Sequence, residues 1–178
     1  MRYYLSGREI RAIYSSSLRR ARQTAGIVAE AGEGTPEQLT VREEDDLREI
    51  DHGSWSGLTR GEVEERWSQL AGEWRARPAA VRMPDGESLQ DVRERALRFL
   101  DRLRHSHADG SILVITHGTV VRLLLAHFLA MDSNDIWRFE LDNAGLTVVE
   151  DHEPPFIMAI NHTGHLKGLR SRLNLQVR

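Results

Sequence analysis

The chain of 178 residues contains no cysteine. Disulfides, thiolate nucleophiles and zinc-thiolate sites are therefore excluded, and the absence agrees with a cytoplasmic location. Charge of neither sign dominates: 24 basic residues stand against 27 acidic ones, a formal net charge of −3. A chain so near neutrality has no electrostatic footprint for nucleic acid, and an anion must be held by a few local groups. Long hydrophobic runs are lacking too. The most apolar stretch, residues 120–131, is interrupted by Arg122 and His127 and is too short to span a bilayer, so no membrane partner is expected. Met1-Arg2-Tyr3-Tyr4 leads into Gly7-Arg8-Glu9 without the apolar core of a signal peptide. There is no Gly-x-Ser-x-Gly elbow and no Walker or Rossmann glycine pattern.

What is present describes a soluble globular protein. Hydrophobic residues make up 40% and charged residues 29%, a balance that excludes disorder. The length suits a single domain able to bury roughly two-thirds of its unfolded surface. Residues 10–14 (IRAIY) are β-branched and aromatic and read as a strand. Ser15-Ser16-Ser17 offers N-cap hydroxyls for a helix over 18–30, broken at 32–36. A short strand is expected at 39–41, and a glycine-punctuated loop at 45–57. Thr59, with Glu62 in the capping-box position, predicts a helix over 60–77. Residues 78–86 form a second loop. Ser88 precedes a helix to about His105, with Val92, Ala96, Phe99, Leu100 and Leu103 on one face. Residues 111–116 (SILVIT) read as a strand buried on both faces, followed by a helix over 119–129. Three later strands are expected at 137–140, 144–150 and 156–161, as antiparallel hairpins, before an irregular basic tail beyond Gly164. Strands alternate with helices through most of the chain, which predicts an α/β class with a mainly parallel sheet.

Chemistry collects at two strand-to-helix junctions. At the first, Arg19, Arg20 and Arg22 crowd the first turn of the 18–30 helix. Arginines at a helix N-terminus are locally unfavourable unless an anion sits among them. Arg19 and Arg22 read as a solvated basic face; Arg20 stands even between that reading and an anion ligand. At the second, SILVIT runs into His117-Gly118 and a helix. Ligands of open α/β sheets bind at the carboxyl ends of strands. There an imidazole can hydrogen-bond a phosphoryl oxygen, and Gly118 lets the backbone approach. A plain helix-capping histidine remains the alternative. A third element is the loop Leu47-Arg48-Glu49-Ile50-Asp51-His52-Gly53-Ser54-Trp55-Ser56-Gly57, where a carboxylate can serve as general acid. Composition does not separate Glu49 from Glu43, Glu44, Asp45, Asp46 or Asp51. His105 and His107 at a helix end lack a third ligand spaced for a metal, as do His162 and His165, and all four read as surface residues. Trp55, Trp67, Trp74 and Trp137 read as core or pocket wall, not as a nucleic-acid stacking platform.

Together these pieces resemble the histidine phosphatase (phosphoglycerate mutase-like) superfamily. Residues 13–25 (IYSSSLRRARQTA) are similar to its strand, serines and Leu-x-Arg-Ala-x-x-Thr-Ala motif. Residues 47–57 resemble its acid loop, and Pro84-Asp85-Gly86-Glu87-Ser88 its Gly-Glu-Ser segment. Val114-Ile115-Thr116-His117-Gly118-Thr119-Val120-Val121-Arg122 resembles its second-histidine motif. Four motifs in order, from about residue 3 to 165, make the match specific. The resemblance implies a three-layer α/β/α fold, a mainly parallel sheet flanked by helices. It implies that Arg20 binds phosphoryl oxygens with a backbone contact from Gly118. Glu49 would donate a proton to the leaving group, and His117 would be the second active-site histidine. No cofactor and no metal is implied, because cationic side chains stabilise the transferring phosphoryl group. The implied partner is a small phosphorylated substrate or inorganic phosphate. A homodimer is compatible with this, though the sequence does not fix the oligomeric state.

The family also opens with a strand ending in Arg-His-Gly, which carries the nucleophile. None of the eight histidines here has that context, and residues 1–7 align with the end of the helix that follows it. The expectation is an N-terminally incomplete domain that lacks its first strand. A sequence starting downstream of the true beginning, a non-catalytic descendant and a segment supplied by another chain are the three explanations. The first is favoured, because losing a central strand would cost several kcal/mol against a typical stability of about 5–15 kcal/mol. The interval of 84 − 49 = 35 positions between Glu49 and Pro84 is short for the mutases of the family. It resembles the broad-specificity and alpha-ribazole phosphatases, which implies phosphomonoester hydrolysis through a phosphohistidine. Mutase-type transfer and non-catalytic phosphate binding are the alternatives.

Overall fold

The computed structural model describes residues 10–31 and 40–166. The helix break expected at 32–36, the strand start at Leu39, the alignment of residues 1–7 and the tail beyond Leu166 lie outside them. The chain divides into two compact units: residues 1–50 with 91–121, and residues 51–90 with 122–178.

The first unit is built on a parallel sheet of β1 (Ile10–Ser16), β2 (Val41–Glu44) and β3 (Ser111–Ile115), in the order β2-β1-β3. Ile13 pairs with Val41 on one side and Leu113 on the other. Successive side chains of a strand alternate between faces, and the two faces carry different helices. On one, Ile10, Ile13 and Leu113 pack with Ala25 of α1 (Arg19–Ala31), joined by Val28 and Val41. On the other, Tyr14 meets Phe99 of the helix Leu89–Ser106 edge-on, with ring centroids 5.4 Å apart. Helix, sheet and helix make the three layers. β3 is less buried than expected: only Leu113 is fully shielded. Among the described residues β1 is its one neighbour. His107 also departs from the surface reading. Its Nε2 lies 3.0 Å from the Tyr14 hydroxyl, which accepts from Arg42 Nη1 at 3.0 Å.

The second unit begins with α2 (Arg60–Arg66), capped by Thr59 and Glu62 in the expected capping box. The single helix expected over 60–77 is interrupted. Trp67 leaves helical geometry at φ −137° and ψ 51°, and α3 (Ser68–Ala76) starts a new ladder after it. The interruption lays the Trp67 indole 6.4 Å from that of Trp55, which in turn meets Trp74 edge-on. Leu89–Ser106, introduced above, is α4, and Gly118–Phe128 is α5; both run from one unit into the other. No strand forms at 137–140: a 3-10 helix, Ser133–Arg138, takes its first two residues, and the next two have no regular structure. Asp132 explains it: its carboxylate accepts the Asn134 N–H at 2.7 Å and starts a helical turn. Trp137 then packs on Trp74, 5.6 Å away, and under the Arg122 guanidinium. The last two strands form the expected antiparallel hairpin, β4 (Leu146–Glu150) with β5 (Phe156–His162). No described helix is long and apolar enough to cross a membrane.

Candidate active site

In the first unit the carboxyl ends of β1 and β3 lie side by side, and the polar groups of the site project from them. β1 ends at Ser16, which is fully buried. Its Oγ accepts the Leu18 N–H at 3.2 Å, capping the entry to α1. Of the three serines offered as caps only Ser16 makes this bond, since Ser15 Oγ donates to the Ser16 carbonyl and Ser17 Oγ to Asp45; Ser16 Oγ also lies 2.8 Å from Nε2 of His117. His117 follows β3 by two residues, is 8% exposed, and accepts the Val121 N–H on its carbonyl at 3.0 Å. It therefore caps α5 through its backbone while its imidazole turns into the site. Gly118 is the first residue of α5.

Glu49 comes to the same place. Its Oε1 accepts the Ile50 N–H at 3.0 Å, and its Oε2 faces the Thr119 N–H at 3.5 Å. The N-terminal amides of a helix favour a negative group, so α5 presents one end to both the carboxylate and any bound anion. Arg20 stands exposed on the first turn of α1. The imidazole of His117 is held well below its usual range, to about 4. Burial is the largest cause; the Glu49 carboxylate acts in the opposite direction, and the charges of Arg20 and Arg95 lower it further. At neutral pH the His117 imidazole is thus uncharged. The four residues singled out in the sequence, Arg20, Glu49, His117 and Gly118, all belong to this unit. Arg22, read as solvated, pairs with Glu43 at 3.4 Å on the exposed surface.

Arg95 was not singled out. It is 8% exposed, and its Nη1 donates to the Asp46 carbonyl at 2.9 Å. The signal existed: Arg95 lies between Val92, Ala96 and Phe99, inside the apolar stripe of α4.

The other half of the acid loop lies in the second unit and docks on the Pro84 segment. Ser54 N–H donates to the Pro84 carbonyl and Glu87 N–H to that of Asp51, both at 2.8 Å. Ser54 Oγ donates to Asp85 at 2.8 Å, and Asp51 N–H to the Glu87 carboxylate at 2.9 Å. Two segments that resembled family motifs separately are thus one hydrogen-bonded structure. Trp55 and Trp74 are buried there as core.

Known proteins resemble this chain over most of its length. The profile of the histidine phosphatase superfamily (branch 1) matches residues 1–161. Phosphoserine phosphatase 1 of Hydrogenobacter thermophilus is 36% identical over 163 residues, covering 91% of this chain and 75% of that protein. The solved structure of Bacillus stearothermophilus YhfR superposes with a TM-score of 0.80 at 27% identity, over 93% of this chain and 80% of the other. A mycobacterial glucosyl-3-phosphoglycerate phosphatase, solved with inorganic phosphate, gives 0.78 at 26% identity, over 91% and 82%.

Proposed function

The chain belongs to branch 1 of the histidine phosphatase superfamily, and from that premise we propose that it serves metal-independent hydrolysis of small phosphomonoesters through a phosphohistidine. The observation that carries the reading is the meeting of Glu49 and the buried His117 at the N-terminus of α5. Arg20 and the Gly118 amide bind the phosphoryl oxygens. His117 hydrogen-bonds the phosphoryl group and gains a proton as that group's negative charge arrives, offsetting the burial that otherwise keeps the imidazole neutral. The nucleophile belongs to an Arg-His-Gly segment that these 178 residues do not contain, so the activity is proposed for the protein carrying that segment.

The reaction has two steps. The nucleophilic imidazole forms an N–P bond as the ester P–O bond breaks, and the Glu49 carboxyl gives its proton to the departing alkoxide. Water then attacks phosphorus, the N–P bond breaks, and the Glu49 carboxylate takes the water's proton. Charge on the transferring phosphoryl group is met by Arg20, the His117 imidazolium and the end of α5. The short interval before Pro84 favours water as acceptor over a second phosphorylated substrate. The relatives named phosphatases support the same direction.

Turnover of p-nitrophenyl phosphate in the presence of a chelator tests the reading. Hydrolysis is expected of a chain that carries an Arg-His-Gly segment, and His117→Ala and Arg20→Ala each abolish it. Full activity in both variants refutes the assignment. Phosphate binding by calorimetry without turnover replaces it with a non-catalytic ligand-binding function. Transfer to a phosphoglycerate faster than to water replaces it with a mutase.

A further inference from the structure

The segment between β2 and Glu49 has almost no regular structure of its own. After β2 ends at Glu44 it makes one 3-10 turn, Asp45–Leu47, and Glu49 follows two residues later. Two successive carbonyls there are taken by side chains. The Asp46 carbonyl accepts Arg95 Nη1 at 2.9 Å, and the Leu47 carbonyl accepts Thr116 Oγ1 at 2.7 Å. The Asp46 carboxylate is gripped twice more, by Arg98 Nη2 at 3.2 Å and Arg102 Nη1 at 2.9 Å. Arg102 Nη2 reaches on to Glu44 at 2.8 Å. The three arginines sit at i, i+3 and i+7, hence on one face of α4.

Resting on the reading of Glu49 as proton donor, we propose that Asp46, held by Arg95, Arg98 and Arg102, is the positioning residue that sets where the Glu49 carboxyl stands relative to His117. Exposed single ion pairs contribute little, but this is a network. The acid side chains of Asp46 and Glu44 are only 21% and 26% exposed, Arg102 bridges both, and the restrained backbone is the one that carries the acid. A proton donor works only within hydrogen-bond reach, and a displacement of about 1 Å can cost on the order of 10²-fold in rate. The clamp ties that reach to a long helix packed on the sheet.

Leaving-group dependence tests this in a chain that carries an Arg-His-Gly segment. Phenyl and p-nitrophenyl phosphate are close in shape, but phenolate needs a proton far more than p-nitrophenolate does. The ratio of their kcat/KM values does not depend on the fraction of protein folded. Glu49→Gln is expected to lower phenyl phosphate hydrolysis at least tenfold more than p-nitrophenyl phosphate hydrolysis, within the roughly 10²–10⁴-fold span of general acids. Asp46→Ala and Arg102→Ala move the ratio the same way, Arg102→Lys restores part of it, and adding Asp46→Ala to Glu49→Gln changes it no further. If Asp46→Ala does not fold, Arg98→Ala, which removes one half-exposed contact, gives a smaller shift of the same sign. A wild-type ratio in these variants beside an altered one in Glu49→Gln overturns the positioning role alone. A wild-type ratio in Glu49→Gln overturns the proton-donor reading and the positioning role together.

Discussion

The imidazole Nε2 of His117 lies 2.8 Å from the hydroxyl of Ser16, linking the carboxyl ends of two neighbouring parallel strands. Ser16 Oγ already accepts the Leu18 N–H, so one small buried side chain both caps α1 and fixes the ring. Ser16→Ala leaves the Leu18 amide and the imidazole without this partner. A destabilisation of about 1–3 kcal/mol is expected for buried groups so orphaned, read by urea unfolding.

The same histidine sets an acid dependence. Its ordinary value is 6.5, and in the folded chain it falls to about 4, chiefly through burial. Between those values the unfolded chain binds the proton and the folded one does not. Stability therefore rises with pH across this window and is lost on acidification through it. Thermal melts from pH 7 down to pH 4 are expected to fall less steeply for His117→Gln than for the wild type. Parallel slopes would show that His117 is not the titrating group.

Arg20 is exposed on the first turn of α1, so its removal acts on ligand binding and hardly on folding. Arg20→Ala is expected to weaken binding of inorganic phosphate, read by calorimetry, roughly 10- to 100-fold, the range of a lost charge-assisted hydrogen bond. The melting temperature stays near that of the wild type. Arg20→Lys keeps the charge but not the paired donors, and falls between the two.

Arg20 and His117 stood out in the sequence by local position, whereas Glu49 was separated from the neighbouring acids only by the resemblance of its loop. Arg20 and His117 each lie within a few residues of a strand end, and Glu49 follows a strand end by five positions, in segments whose spacing resembles known motifs. The capping box and the final hairpin are equally local. The place of Arg95 in the apolar stripe was visible, but its partner was not, because the Asp46 carbonyl is 49 positions away and only the fold brings them together. The break at Trp67 was hidden for a related reason. Residues 60–77 hold no proline, and Gly61 and Gly72 lie away from the break, where the indole departs from the helix to meet Trp55. Residues 137–140 have a strand-like composition, but the cap at Asp132 starts a helical turn first.

Thr59 and Glu62 exchange both bonds of the capping box. The Glu62 carboxyl is held below its ordinary value, first by the Thr59 backbone N–H and then by its hydroxyl. A lowered carboxylate stabilises above its unfolded value and loses that contribution as pH falls through the folded one. Thr59→Ala is expected to lower the melting temperature by roughly 2–4 °C at neutral pH. The gap between variant and wild type narrows in acid, where Glu62 is protonated in both.

The two docked loops of the second unit meet at Gly53 and Gly86, and these glycines separate steric from conformational strain. A Cβ on Gly86 would stand 2.5 Å from the Asp51 carbonyl oxygen and 2.7 Å from the Gly53 nitrogen. Both are backbone atoms, so no side chain can swing away. A Cβ on Gly53 would stand 2.1 Å from the Pro84 carbonyl oxygen, and Gly53 also has φ +51°. Gly57 has φ +79° with nothing within 4 Å of a Cβ, so it isolates the backbone contribution. Gly57→Ala should cost only about 1–2 kcal/mol, the left-handed penalty of an L-residue. Gly86→Ala should cost about 1–3 kcal/mol from overpacking alone. Gly53→Ala combines both and should be the most destabilising of the three. Urea midpoints of the three variants check the order. A Gly53→Ala protein as stable as Gly57→Ala would mean that the Ser54–Pro84 contact is not made in solution.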